Sequence, residues 1–103
     1  MKIGIIGLGL IGGSFALSAK KSIRDCSLFG MDNNPEHLSQ AFELGIINQS
    51  LTPLNYSRMD VIILAIPVNA VLEIILTLLD QINDNALLID VGSTKEMICE
   101  KVK

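Results

Sequence analysis

Glycine recurs at positions 7, 9 and 12 in Gly7-Leu8-Gly9-Leu10-Ile11-Gly12, which fits the spacing G-x-G-x-x-G. That spacing alone is common, so its meaning depends on what flanks it. Here an apolar run, Lys2 to Ile6, leads in, and a helical pattern from Leu10 to about Lys21 follows directly. A strand that turns into a helix through glycines offers free backbone N–H groups and the positive end of the helix dipole, which together suit a pyrophosphate. Gly7 permits the tight turn, Gly9 lets the backbone approach the phosphates, and Gly12 lets the helix lie close to the strand. Leu8, Leu10 and Ile11 complete the candidate cradle.

A carboxylate sits where such a cradle needs one. Asp32 ends a second apolar run, 20 residues after Gly12, near the separation of about 20 at which an acid reaches the ribose hydroxyls of an adenosine. A carboxylate there repels a 2′-phosphate, and Asn33-Asn34 offers no arginine to accept one. The implied cofactor is NAD rather than NADP. The plainer alternative is a glycine turn and an acid that only ends a strand.

Other reactive side chains carry less. Ser14 suits either a cofactor phosphate or a crowded helix start. The single histidine, His37, falls in the first turn of a second helix and reads as an exposed surface side chain. Cys26 and Cys99 lie far apart and read as ordinary thiols, with no disulfide framework and no metal site implied. In Asp90-Val91-Gly92-Ser93-Thr94-Lys95 a strand ends, and the crevice beyond the carboxyl ends of strands is where ligands lie in open α/β sheets. Ser93 and Lys95 would present a hydroxyl and a cation there; the alternative is a plain turn with Ser93 or Thr94 as helix cap.

Positioning these groups requires alternating strands and helices. Strands are expected at Lys2 to Ile6, Ser27 to Met31, weakly at Ile46-Ile47-Asn48, at Val61 to Ile66 and at Ala86 to Val91. The second helix should start with Asn34 as cap and Pro35 at its first position, turn Leu38, Ala41 and Phe42 inward, and stop at Gly45. A third helix over 68 to 82 carries Asn69, Glu73, Thr77 and Gln81 on one face and Val71, Leu72, Ile75, Leu78, Leu79 and Ile82 on the other. That polar stripe, with Pro67 before it, argues against a membrane span across Val61 to Leu79. Residues 50 to 58 hold at most a turn of helix, and Thr94 to Lys103 looks like the start of another. Continuous β-branched strands imply a mostly parallel sheet of about five strands, covered on both faces by helices.

Composition agrees with one α/β domain across residues 1 to 103. Half the residues are apolar and mean hydropathy is +0.49, enough for a real core and too much for disorder. Eight Lys+Arg against eleven Asp+Glu leave a net charge of −3, which argues against nucleic acid as a partner. Cysteine usage fits a reducing cytoplasm.

Taken in order, Ile6 to Ser14, Met31-Asp32-Asn33-Asn34-Pro35-Glu36, Leu44-Gly45-Ile46-Ile47, Leu64-Ala65-Ile66-Pro67-Val68 and Asp90 to Lys95 resemble the N-terminal domain of the prephenate dehydrogenase family. The resemblance implies a Rossmann-type, doubly wound domain. It also implies oxidative decarboxylation of prephenate, or arogenate in some branches, with hydride passed to NAD in tyrosine biosynthesis. It puts Gly7, Gly9 and Gly12 at the pyrophosphate, Asp32 at the adenosine ribose, Ile66 and Pro67 beside the nicotinamide ribose, and Ser93 at the substrate hydroxyl. The family's catalytic histidine and its helical, dimer-forming second domain lie beyond the stretch compared, so the resemblance implies the cofactor half of a homodimeric enzyme. Two alternatives stay open at this point: the cofactor domain of a hydroxyacid dehydrogenase or pyrroline-carboxylate reductase, and a non-catalytic NAD-binding module.

Overall fold

The computed structural model describes residues 1–91 and 97–100. Five parallel strands, β1 (Lys2–Ile6), β2 (Ser27–Met31), β3 (Gln49–Ser50), β4 (Val61–Leu64) and β5 (Leu87–Asp90), form one sheet with a sixth, β6 (Met97–Glu100), in the order β3-β2-β1-β4-β5-β6. Registers such as Ile5 opposite Gly30 and Ile63 opposite Ile89 align the carboxyl ends of β1, β2, β4 and β5 along one edge. Three helices connect them: α1 (Leu10–Ser22), α2 (Pro35–Glu43) and α3 (Val68–Gln81).

Side-chain alternation along the strands sorts the core into two layers. Ile3, Ile5, Leu28 and Ile63 pack with Ala16 of α1 and Ala41 of α2. Ile6, Phe29, Ile62, Leu64 and Leu88 pack with Val71 and Leu78 of α3 and with Tyr56. Helices therefore cover both faces, and the winding reverses between β1 and β4, the switch point where such sheets bind ligands.

Local chemistry sets the element ends. Asn34 Oδ1 accepts the Glu36 amide at 2.9 Å, with Pro35 in the first turn, so α2 starts as its sequence requires. Its end is set by Gly45, whose φ of +68° is a left-handed conformation that glycine adopts without steric cost. No helix among the described residues is long and apolar enough to cross a membrane.

Several expectations need correcting. The third strand lies at Gln49–Ser50, not at Ile46-Ile47-Asn48. Asn48 is tied to β2 twice, its amide donating to the Leu28 carbonyl (2.7 Å) and its side-chain oxygen accepting the Leu28 amide (2.9 Å). A side chain thus does what the backbone would do in a strand, and regular pairing starts one residue later. The segment before β4 forms a six-residue 3-10 helix, Pro53–Arg58, rather than a single turn. Phe42 is 43% exposed and Leu72 is 68% exposed, not inward-facing. Residues four apart share a helix face, so Leu72 continues into Leu76, also exposed, beside the polar stripe of α3. Finally, residues 97–100 of the expected last helix form a strand antiparallel to β5, which satisfies backbone groups that would otherwise line an open sheet edge. The remainder of that expected helix lies outside the described residues.

Candidate functional site

The glycine loop runs along the switch point. Gly7 has φ +101°, and a Cβ built there would stand 2.5 Å from the Ala65 carbonyl oxygen beyond β4. Its amide donates to the Met31 carbonyl of β2 (2.7 Å). The loop therefore turns where β1, β2 and β4 end together. At Gly12 a Cβ would stand 1.7 Å from the Gly7 carbonyl oxygen, so α1 can lie against the end of β1 only with hydrogen at this position.

Gly9 differs from both. Its φ of −72° and ψ of −158° are open to any residue, and the nearest atom to a Cβ there is His37 Cε1, 4.0 Å away. Among the described residues, neither backbone geometry nor packing requires glycine. The space above Gly9 is open among the described residues, and a ligand lying on it would favour glycine. Gly9 is also the N-cap of α1; it has no side chain with which to cap that helix end, and the first turn holds no acid. The backbone of Leu10 and Ile11 forms this first turn, with the Gly13 amide closing on the Gly9 carbonyl (2.8 Å). α2, by contrast, is capped by the Asn34 side chain; the start of α1, where Gly9 offers none, suits an external anion.

Asp32 is held next to this loop by its neighbours' amides. Oδ2 accepts the Leu8 N–H at 2.6 Å and Oδ1 the Asn34 N–H at 2.7 Å. Leu8 anchors its end of the contact by burying its side chain (7% exposed) in the layer beneath α1 and α2. Burial pushes the Asp32 carboxyl up, but the Asn34 and Leu8 amides and the His37 ring outweigh it and leave the group below the usual carboxylate range. Asp32 is thus an anion with its orientation fixed before any ligand arrives.

Ile66 joins Gly7, Asp32 and Asn33 in lining one cleft, which continues over Ala70 and Ile74 of α3. Pro67 stands at the N-cap of α3 with φ −58°. The sites read from sequence at Gly7, Leu8, Gly9, Leu10, Ile11, Gly12, Asp32, Ile66 and Pro67 therefore lie along one edge of the sheet. Ser93, with Gly92, Thr94 and Lys95, lies outside the described residues.

Sequence reasoning missed one contact of the site. His37 is not a bystander: its Nδ1 lies 3.2 Å from Asp32 Oδ2, and its side chain is 42% exposed against 12% for Asp32. Its position was detectable in principle. His37 is the third residue of α2, and side chains at that position reach back over the segment before the cap.

Comparison with known proteins accords with this geometry. The model of the prephenate dehydrogenase nucleotide-binding domain matches residues 15–103, beginning just after the glycine loop. A prephenate dehydrogenase of Lactococcus lactis is 38% identical over 102 residues, covering 96% of this chain and 28% of that protein. Among solved structures, prephenate dehydrogenase of Aquifex aeolicus, in complex with hydroxyphenyl propionate and NAD+, superimposes with a TM-score of 0.81 at 34% identity, covering 92% of this chain and 34% of that one. Arogenate dehydrogenase of Synechocystis gives 0.79 at 28% identity, with 92% and 34% covered. The chain thus spans about a third of the length of these relatives or less, over the part that contains the glycine loop and Asp32. On the family match and on this geometry, the chain belongs to the prephenate dehydrogenase nucleotide-binding domain family.

Proposed function

We propose that this chain is the NAD-binding part of an enzyme that oxidatively decarboxylates prephenate to 4-hydroxyphenylpyruvate. The observation that carries the reading is Gly9, a glycine that no described residue crowds, at the start of α1 and beside an oriented carboxylate. The backbone of residues 7 to 12 would hold the pyrophosphate, Gly9 admitting it closely. Asp32 would accept hydrogen bonds from the adenosine ribose. Ile66 and Pro67 would flank the path toward the second ribose, and Ser93 would meet the substrate hydroxyl, as the family resemblance implies.

Bound NAD would supply the hydride acceptor; this chain supplies orientation and electrostatics. Asp32 is fixed in advance by two amides, so little ordering is left to oppose binding. Its charge opposes a 2′-phosphate, which supports NAD over NADP. The substrate rests on relatives about three times as long as this chain, and the dimer on the family resemblance alone.

The test is calorimetric titration with NAD and NADP, joined to an NADH-absorbance assay of the whole protein with prephenate and with arogenate. NAD binding tighter than NADP and turnover of prephenate are expected. Equal affinities would overturn the cofactor assignment, and turnover of neither acid would overturn the reaction.

A further inference from the structure

The Asp32 carboxylate has a titratable neighbour that the reading above does not use. His37 Nδ1 lies 3.2 Å from Oδ2, on the oxygen that also accepts the Leu8 amide. The ring is 42% exposed and so open to solvent protons, and its Cε1 edge faces the space over Gly9. The imidazole therefore lies beside the carboxylate proposed to meet the adenosine ribose and over the start of α1.

We infer that His37 is a specificity-determining residue that makes the choice between NAD and NADP depend on its own charge. This rests on the nucleotide reading of the site. With a neutral ring, Asp32 presents an uncompensated negative charge and repels a 2′-phosphate. With a protonated ring, the pair is neutral, Nδ1–H donates to Asp32 and Nε2–H is left to meet an anion, so the penalty on NADP shrinks. NAD, which has only hydroxyls there, responds much less.

Among the described residues, the surroundings isolate this effect. Asp32 is the charged group that faces the ring from β2. From α1 the adjoining groove is lined by Gly9, Gly13, Ser14 and Leu17, none of them charged. On α2, Gln40 lines the same groove, Glu36 directly precedes His37 and donates its own amide to Asn34, and Lys20 of α1 donates to the Gly45 carbonyl at the far end of α2. Asp32 itself lies below its ordinary value, so it stays ionised from pH 8 to pH 5.5.

The experiment is calorimetric titration of the chain with NAD and with NADP from pH 8 to pH 5.5, for the native sequence, His37→Gln and His37→Lys. The 2′-phosphate of NADP also takes up a proton near pH 6, and His37→Gln measures that contribution alone. The native preference for NAD is expected to fall roughly tenfold more on acidification than that of His37→Gln, the size of one partly screened charge interaction. His37→Lys, charged throughout, should keep a low preference at both ends. Coincident profiles for the native chain and His37→Gln, with NAD still bound and still weakened by Asp32→Ala, would overturn the role of His37 alone. Binding of neither nucleotide by the native chain would overturn the cofactor reading and this inference with it.

Discussion

Replacing Gly9 and Gly12 by alanine, one at a time, should separate a glycine kept for a ligand from one kept for the fold. At Gly12 the new methyl would sit 1.7 Å from the Gly7 carbonyl oxygen, so the loop or α1 must move. Backbone cannot yield as a flexible side chain does, and a cost of about 3 kcal/mol or more is expected. At Gly9 the nearest atom is 4.0 Å away and the backbone dihedrals suit alanine. Two small effects oppose each other there: alanine is a poorer N-cap than glycine, by up to about 1 kcal/mol, and it lowers the entropy of the unfolded chain, a gain of about 0.4–1 kcal/mol.

A domain of this size shifts its melting temperature by about 4–8 °C per kcal/mol. Gly12→Ala should therefore melt at least about 12 °C lower, while Gly9→Ala stays within about 8 °C of the native chain. NAD affinity should reverse that order in significance. Folded Gly9→Ala should lose at least about tenfold, or 1.4 kcal/mol, because its methyl occupies the space proposed for the pyrophosphate. Circular dichroism melts and calorimetric titration read the two effects separately. A Gly9→Ala chain that binds NAD as the native chain does would refute the reasoning, as would one that melts as low as Gly12→Ala.

Asp32→Ala should weaken NAD and narrow its preference over NADP, and it should also destabilise the chain by about 1–3 kcal/mol by leaving the Leu8 and Asn34 amides without their acceptor; unchanged melting would contradict the anchoring role. Because the folded Asp32 carboxyl lies below its ordinary value, its contribution is present above the unfolded value of about 3.9 and is lost as pH falls through the folded one. The stability gap between the native chain and Asp32→Asn should thus narrow below about pH 4 in urea titrations. Burial pushes the Tyr56 hydroxyl up, so its contribution is present below the unfolded value of about 10 and is lost as pH rises through the folded one. Tyr56→Phe should show less alkaline destabilisation than the native chain in the same measurement.

The parts of the site that were legible in sequence are those whose residue types are dictated by backbone geometry. Gly7 and Gly12 announce a turn and a close approach, and Asp32 falls where β2 ends because the intervening helix and strand have ordinary lengths. Asn34-Pro35 fixed the start of α2 for similarly local reasons. What escaped depends on contacts between elements. Asn48 uses a side chain to continue the sheet, which no propensity encodes. His37 meets Asp32 because the cap at Asn34 folds the first turn of α2 back over the end of β2, a contact across five residues of changing backbone direction. Phe42 and Leu72 look like core residues by type alone, yet each lies on the outward side of its helix. The strand at 97–100 depends on an available edge of β5, which is a property of the assembled sheet rather than of the segment.

The most direct test of the account is to map NAD onto the backbone by heteronuclear NMR, following the amide resonances through a titration. The account predicts that the largest shifts fall on residues 7 to 13, on Asp32 and Asn33, and on Ile66, the residues that border the switch point. Shifts concentrated instead on Leu17, Gln40 and Leu44, in the groove between α1 and α2, or no shifts at saturating NAD, would contradict it.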